Sequence, residues 1–243
     1  MLPLPPMRFA RQVEPEWLDE LPAEDPDAIR SRRDLRRLNA WMGNAGTMAR
    51  LLEGLGAPRR GRRVVELGAG DGTFLLGLAR RLPPQWSGTT AVLVDRAMLV
   101  SAATRQALAK LGWAVEVETA DVFEGLARIP PRDGTVVLAN LFLHHFPREP
   151  LRELLAQVAA RAEQFVACEP RRSRLTLGAS RLVGLIGCNA VTRHDAVASV
   201  RAGFEGRELS QLWPAGAGWT LDEGRAGPFG HRFAASRQEA AGH

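Results

Sequence analysis

At 243 residues the chain is long enough for one large α/β domain with a substantial core, and too short to favour a second independent one. Its formal charge of +5 comes from 32 basic and 27 acidic residues, but only Lys110 is a lysine and tyrosine is absent; this reads as GC-rich coding bias more than a selected basic surface, so nucleic acid is not the expected partner. Cys168 and Cys188 have neither disulfide-framework nor metal spacing and no apolar run approaches a bilayer's length, so free buried thiols, no metal site and a cytoplasmic location are expected.

Residues 1 to 24, rich in proline and acidic side chains with Trp17-Leu18 as their main apolar point, read as an extended lead-in. From Asp27 to Trp41 the spacing predicts a helix with Ile29, Leu35, Leu38, Trp41 and Met42 as its apolar stripe. Arg30, Arg32, Arg33, Arg36 and Arg37 fall mostly outside that stripe. Gly43 to Gly46 break the pattern, and a second helix carrying Met48, Leu51, Leu52 and Leu55 runs to a stop at Gly56-Ala57-Pro58. The two helices either cover a site or pad a sheet with a solvated arginine face; a membrane-surface role is a weaker third reading.

The most specific stretch is Val64-Val65-Glu66-Leu67-Gly68-Ala69-Gly70-Asp71-Gly72-Thr73-Phe74, which reads as strand, tight turn and helix. A dinucleotide fingerprint wants G-x-G-x-x-G at an anion-binding helix start, but here the third glycine comes one place early and the turn carries Glu66 and Asp71. Two carboxylates repel a pyrophosphate and attract a cation. S-adenosylmethionine, with an ammonium, a sulfonium and no phosphate, suits such a turn. Glu66-x-Gly68-x-Gly70-x-Gly72 after an apolar strand resembles motif I of the class I S-adenosylmethionine-dependent methyltransferases, and the resemblance extends over residues 60 to 170.

That resemblance implies that the N-terminal helices are a lid. Thr90 to Asp95 forms a second strand ending in an acid at the right distance past the turn to accept the ribose hydroxyls, its competing role being a cap for a helix over Arg96 to Leu111. Trp113 to Ala120 alternates as a third strand. Beyond it the family places an acid and an apolar neighbour against adenine, where Asp121 and Val122 stand. In all, the resemblance puts the cofactor against Glu66, Gly68, Ala69, Gly70, Gly72, Asp95, Arg96, Asp121, Val122, Asn140 and Leu141.

Thr135 to Ala139 is a central apolar strand, followed by Asn140-Leu141-Phe142-Leu143-His144-His145-Phe146-Pro147. The L-H-H run is similar to that of small-molecule methyltransferases of the ubiquinone- and menaquinone-biosynthesis type, and not to the N-P-P-[F/Y] motif of amino-directed enzymes. A helix over Arg148 to Ala162, a fifth strand over Gln164 to Cys168, an apolar segment from Leu175 to Ala190 and a helix from Thr192, capped by Thr192 or Asp195, follow. Trp219 to Arg225 and Phe229 to Ser236 close the chain as strands six and seven, with residues from Arg237 frayed.

The expected fold is a doubly wound, seven-stranded, mostly parallel sheet with its last strand inserted antiparallel. Residues 1–58 would form the extension and lid, and 59–238 the methyltransferase domain. The expected reaction is methyl transfer from S-adenosylmethionine to oxygen or carbon of a small, aromatic, phenolic or quinol-like, lipophilic acceptor. The alternatives are an RNA or protein methyltransferase and a non-catalytic cofactor-binding protein. His144, His145 and His194 are the acid–base candidates, the first two on a loop that, if extended, turns only one of them to the pocket. His231 is expected to be structural.

Overall fold

The computed structural model describes residues 9–56, 62–131, 134–216 and 218–238. Its strands are β1 (Arg63–Leu67), β2 (Thr90–Asp95), β3 (Ala114–Thr119), β4 (Thr135–Asn140), β5 (Gln164–Pro170), β6 (Trp219–Ala226) and β7 (Gly230–Arg237). They form one sheet in the order β3-β2-β1-β4-β5-β7-β6. The first five are parallel, and β7 runs antiparallel between β5 and β6, as the closing strand pair predicts. In β4 and β5 every residue is buried, which explains their uninterrupted apolar runs: both sheet faces are covered by helices.

The helices are α1 (Trp17–Glu20), α2 (Pro26–Met42), α3 (Asn44–Gly54), α4 (Thr73–Ala79), α5 (Ala102–Lys110), α6 (Val122–Arg128), α7 (Arg148–Arg161), α8 (Arg174–Ser180), α9 (Ala190–Ala202) and α10 (Glu208–Leu212). On one sheet face Met48 and Leu52 of α3, Leu75 and Leu78 of α4 and Leu108 of α5 pack on Val64, Leu93 and Leu138. On the other, α6, α7 and α10 bury Leu126, Leu154, Leu155 and Leu209 against Val65, Val137 and Phe165. Each such side chain contributes about 1.5–3 kcal/mol relative to exposure. Neighbouring strand residues serve opposite layers, so the alternation along β1 assigns Val65 to one core and Val64 to the other.

Several boundaries differ from expectation. The stretch before α2 is not a free lead-in: Arg11 donates to the carbonyls of Ala202, Phe146 and His144, and residues 9–16 lie as a strap along α9 before α1. The second helix ends at Gly54; the expected stop at Ala57-Pro58 lies outside the described residues. Asn189 caps α9, not Thr192 or Asp195. Asp195 instead accepts from the backbone N–H groups of Trp17 and Leu18, so it fixes the start of α1.

Of the two readings of α2, the one in which it covers a site holds for most of its stripe, and Ile29 falls outside it. The helix buries Ala28, Ser31 and Asp34, while Ile29 and Trp41 are exposed. Ser31 Oγ accepts from Thr192 Oγ1, and Asp34 accepts from Asn189 N, so the polar face docks on α9. Leu35, Leu38, Trp41 and Met42 are left to line a cavity.

Candidate active site

A cavity of about 1320 Å³ opens at the carboxyl ends of β1, β2 and β4, where the strand order reverses. The turn after β1 forms its floor. Gly68, Gly70 and Gly72 all have positive φ, which the glycines permit. A Cβ at Gly68 would stand 2.2 Å from the Phe142 ring, whereas Gly70 faces open space. Glu66 is buried with Oε2 unpartnered, and burial, with Asp71 and Asp95 nearby, pushes its carboxyl well above the usual range. A buried carboxylate without a donor fits a cationic group brought by a ligand.

Asp71 behaves differently from the expectation of a second free carboxylate. Arg36 of α2 reaches across to Asp71 Oδ2 at 2.6 Å, and Oδ1 accepts from Thr73. Glu66 is therefore the carboxyl of the turn left open to a ligand, and the lid is tied to the floor. Asn39, Asn44 and Asn140 form a second tie: Asn44 Nδ2 donates to Asn140 Oδ1 at 2.9 Å, and Asn39 Oδ1 accepts from both amides.

Asp95 does not cap the next helix, which starts at Ala102 with Ser101 as cap. Its Oδ2 accepts from Gly70 N at 2.8 Å and its Oδ1 from Ala97 N at 2.9 Å, so the carboxylate is held at the cavity rim with lone pairs to spare. Ala69, Arg96, Val122, Asn140 and Leu141 also line the cavity. Gly72 and Asp121 do not. Gly72 turns toward Leu93, Val100 and Thr104. Asp121 caps α6 through Phe123 N and accepts from Arg96, contacts that hold it below the usual carboxylate range against the burial that works to raise it.

At the far end, the segment after β4 is a helical turn over Leu143–His145, not an extended loop, so both histidines reach the cavity wall. Leu141, at its start, has φ 51°, the one positive value of a non-glycine among the described residues, and marks local strain at the sharp exit from the strand. His144 is buried; its Nδ1 lies 2.7 Å from Glu169 Oε2 and its Nε2 lies 3.2 Å from Glu16 Oε1. Burial would lower this imidazole, but hydrogen bonds and charge from Glu16 and Glu169 outweigh it and raise it to about 9. His145 binds the Phe142 carbonyl through Nδ1, and its Nε2 lies 3.3 Å from Glu16 Oε2.

His194 is not brought to the cavity. It stacks on Trp17 at 4.0 Å and binds Asp195. His231 pairs with Glu223 inside the fold, a structural role as expected. Cys168 and Cys188 are buried free thiols, and burial raises Cys168 to about 12.

Glu16, Asn39, Asn44 and Glu169 were not singled out from the sequence. Glu169 carried the only accessible signal, an acid closing an apolar strand opposite the L-H-H run; its Oε1 also accepts from the N–H groups of Phe142 and Leu143. Glu16 had none, since its partners are 128 and 183 positions away at His144 and Ser199.

A family model described as a methyltransferase domain matches residues 64–164. The plantazolicin methyltransferase BpumL, solved in complex with SAH, superposes with a TM-score of 0.61 at 14% identity, covering 88% of this chain and 92% of that one. An O-methyltransferase family protein from Burkholderia thailandensis gives 0.55 at 18% identity, covering 90% and 64%. The mitomycin 7-O-methyltransferase MmcR gives 0.54 at 18%, covering 91% and 60%. The chain thus spans less than two thirds of either O-methyltransferase. No curated protein matches it. The chain has the class I methyltransferase fold, and its residues 64–164 are similar to the methyltransferase-domain family.

Proposed function

We propose that this chain transfers the methyl group of S-adenosylmethionine to an oxygen or carbon of a small, lipophilic, aromatic acceptor of the phenol or quinol class, as enzymes of the ubiquinone- and menaquinone-biosynthesis type do. One observation carries the reading: a mostly apolar cavity, larger than one ligand of this size fills, runs from the glycine turn to the histidine pair beneath the N-terminal helices. Leu35, Leu38, Phe123, Phe142 and Phe146 suit an apolar ring. An RNA strand would call for an open basic groove instead.

The residues present fit the cofactor. Glu66 would take its ammonium, Asp95 its ribose hydroxyls, and Val122 and Leu141 would pack against its adenine ring. When bound, S-adenosylmethionine supplies an electrophilic methyl on a positively charged sulfur. The chain's own part is alignment, exclusion of water and a proton's destination. His144 is better built for that last role than His145, because Glu169 orients its Nδ1 in the manner of a carboxylate behind a general base. Glu16 occupies the other nitrogen and helps keep the ring protonated, so Nε2 can take the acceptor's proton once the strap's carboxylate moves aside and the ring has released its own proton. On this reading residues 1–58 form the lid and 59–238 the catalytic domain.

The test is methyl transfer from labelled cofactor to a panel of phenols, to bulk RNA and to mixed protein. Transfer to phenols is expected. Transfer to RNA or protein alone would replace the reading, and cofactor binding without transfer to any of them would make the chain a non-catalytic binder.

A further inference from the structure

Four large apolar side chains stand exposed within twelve residues of α8 and the turn after it: Leu175 at 61%, Leu182 at 58%, Leu185 at 82% and Ile186 at 56%. Single exposed leucines are ordinary, but a cluster of this kind marks a surface that meets another phase or partner. The same stretch is electrostatically one-sided. Residues 170–194 contain five arginines and no acid, Arg172 among them being buried in a pair with Glu208. Arg181 and Arg193 are exposed, and the Arg193 stem lies against Gly184 in the turn itself.

The patch is continuous with the active site. Leu182 and Ile186, more than half exposed outside, also line the cavity, so their side chains join the outer surface to the acceptor end. An apolar molecule could pass along them without crossing bulk water. Among the described residues no helix is long and apolar enough to cross a membrane, so any membrane contact made by these helices is peripheral.

We infer that the surface formed by α8 and the following turn docks on an anionic lipid bilayer and that the acceptor enters the cavity from that bilayer. Apolar side chains flanked by arginines are the pairing an interfacial segment needs: the first immerse among acyl chains, the second meet lipid phosphates. Charge complementarity selects an anionic surface over a neutral one. The acceptor's route rests on the proposed function; the docking itself does not.

The experiment is co-sedimentation of the full chain with vesicles of phosphatidylcholine alone and of phosphatidylcholine mixed with phosphatidylglycerol. Binding to the mixed vesicles that weakens with salt is expected, and Leu185→Glu or Leu175→Glu should reduce it about tenfold or more. Neither residue lines the cavity, so S-adenosylhomocysteine affinity by calorimetry should be unchanged in both variants, which also verifies their folding. Turnover of a long-chain phenol presented in vesicles should fall with binding, while a short water-soluble phenol should be unaffected. A wild-type chain that stays in the supernatant with anionic vesicles overturns the inference, and so does a Leu185→Glu variant that sediments like wild type. A wild-type dimer that Leu185→Glu dissociates would give the patch to a second copy, and equal loss of RNA binding would give it to RNA; either also overturns it. Vesicle binding without any cofactor binding would leave the docking standing and remove the proposed function.

Discussion

Glu16, on the strap that precedes the first helix, lies 3.2 Å through Oε1 from Nε2 of His144, and the strap is thereby locked to the segment after β4. Ser199 of α9 donates to the same oxygen. Removing one member leaves buried partners without a counter-charge, so the lock is costly to break from either side.

The lock gives stability a defined pH dependence. His144 is raised from 6.5 to about 9, so its contribution is fully present below about pH 6.5 and is lost as pH rises through about 9. Urea midpoints should therefore fall across that window in the wild type, by a free energy on the order of 3 kcal/mol. Glu16→Gln should shrink the slope by removing one of the two carboxylates that hold the proton. A wild-type profile flat from pH 6 to 9.5 would refute the pairing.

Catalysis separates the histidines. His144→Asn should lower kcat roughly a hundredfold at saturating cofactor with cofactor affinity kept, and abolish the alkaline-rising limb of the rate profile. His194→Asn should leave turnover per folded molecule unchanged, because its ring serves Trp17 and Asp195 rather than the cavity. Normal turnover in His144→Asn would mean that the acceptor arrives already ionised.

Glu66 opposes stability for the sake of binding. Its carboxyl is raised by burial and by Asp71 and Asp95, so the folded state holds a proton that the unfolded chain has released, and ligand-free stability falls as pH rises above about 4.5 toward the raised value. Glu66→Gln should flatten that fall and raise the ligand-free melting temperature at neutral pH. The same change should weaken S-adenosylhomocysteine by about tenfold or more through loss of the ammonium's partner. Calorimetry and thermal melts on one preparation decide both, and a variant that is less stable and binds normally would contradict the assignment.

Asp95→Ala removes acceptors for Gly70 N and Ala97 N as well as those proposed for the ribose. Each bond to a charged acceptor is worth about 1.5–3 kcal/mol, so cofactor affinity should drop at least about tenfold. Asp95→Asn, which keeps one acceptor oxygen, should recover part of the loss.

Arg36→Ala tests the tie between α2 and the glycine turn. The pair with Asp71 is half exposed, so global stability should change by less than about 1 kcal/mol. Cofactor dissociation should nonetheless quicken, measured by stopped-flow release of S-adenosylhomocysteine. An unchanged release rate would separate the lid from the cofactor.

The strands and the glycine turn were legible because their signals are local: β-branched runs between turn residues, and glycines where φ must be positive. The short α6, with Gly125 inside it, left no such pattern. Periodicity also located α2 but left open whether its apolar stripe covers a site or pads the sheet, since a face turned to a ligand cavity and a face turned to packed side chains have the same spacing. The asparagine cluster, the Arg36 bridge and the strap's carboxylate went unread for another reason: each joins positions that only the finished topology brings together.

The strap also sets an order of events during synthesis. Arg11 is seated by the carbonyl of Ala202, 191 residues later, and Glu16 by Ser199, 183 residues later. Strands β1 to β5 can pair while residues 9–20 have only the part of their berth that the segment after β4 supplies, so a nascent chain holds an open cofactor crevice before it holds a closed one. A chain halted before α9 would keep the glycine turn and lack the helix along which residues 9–16 come to rest.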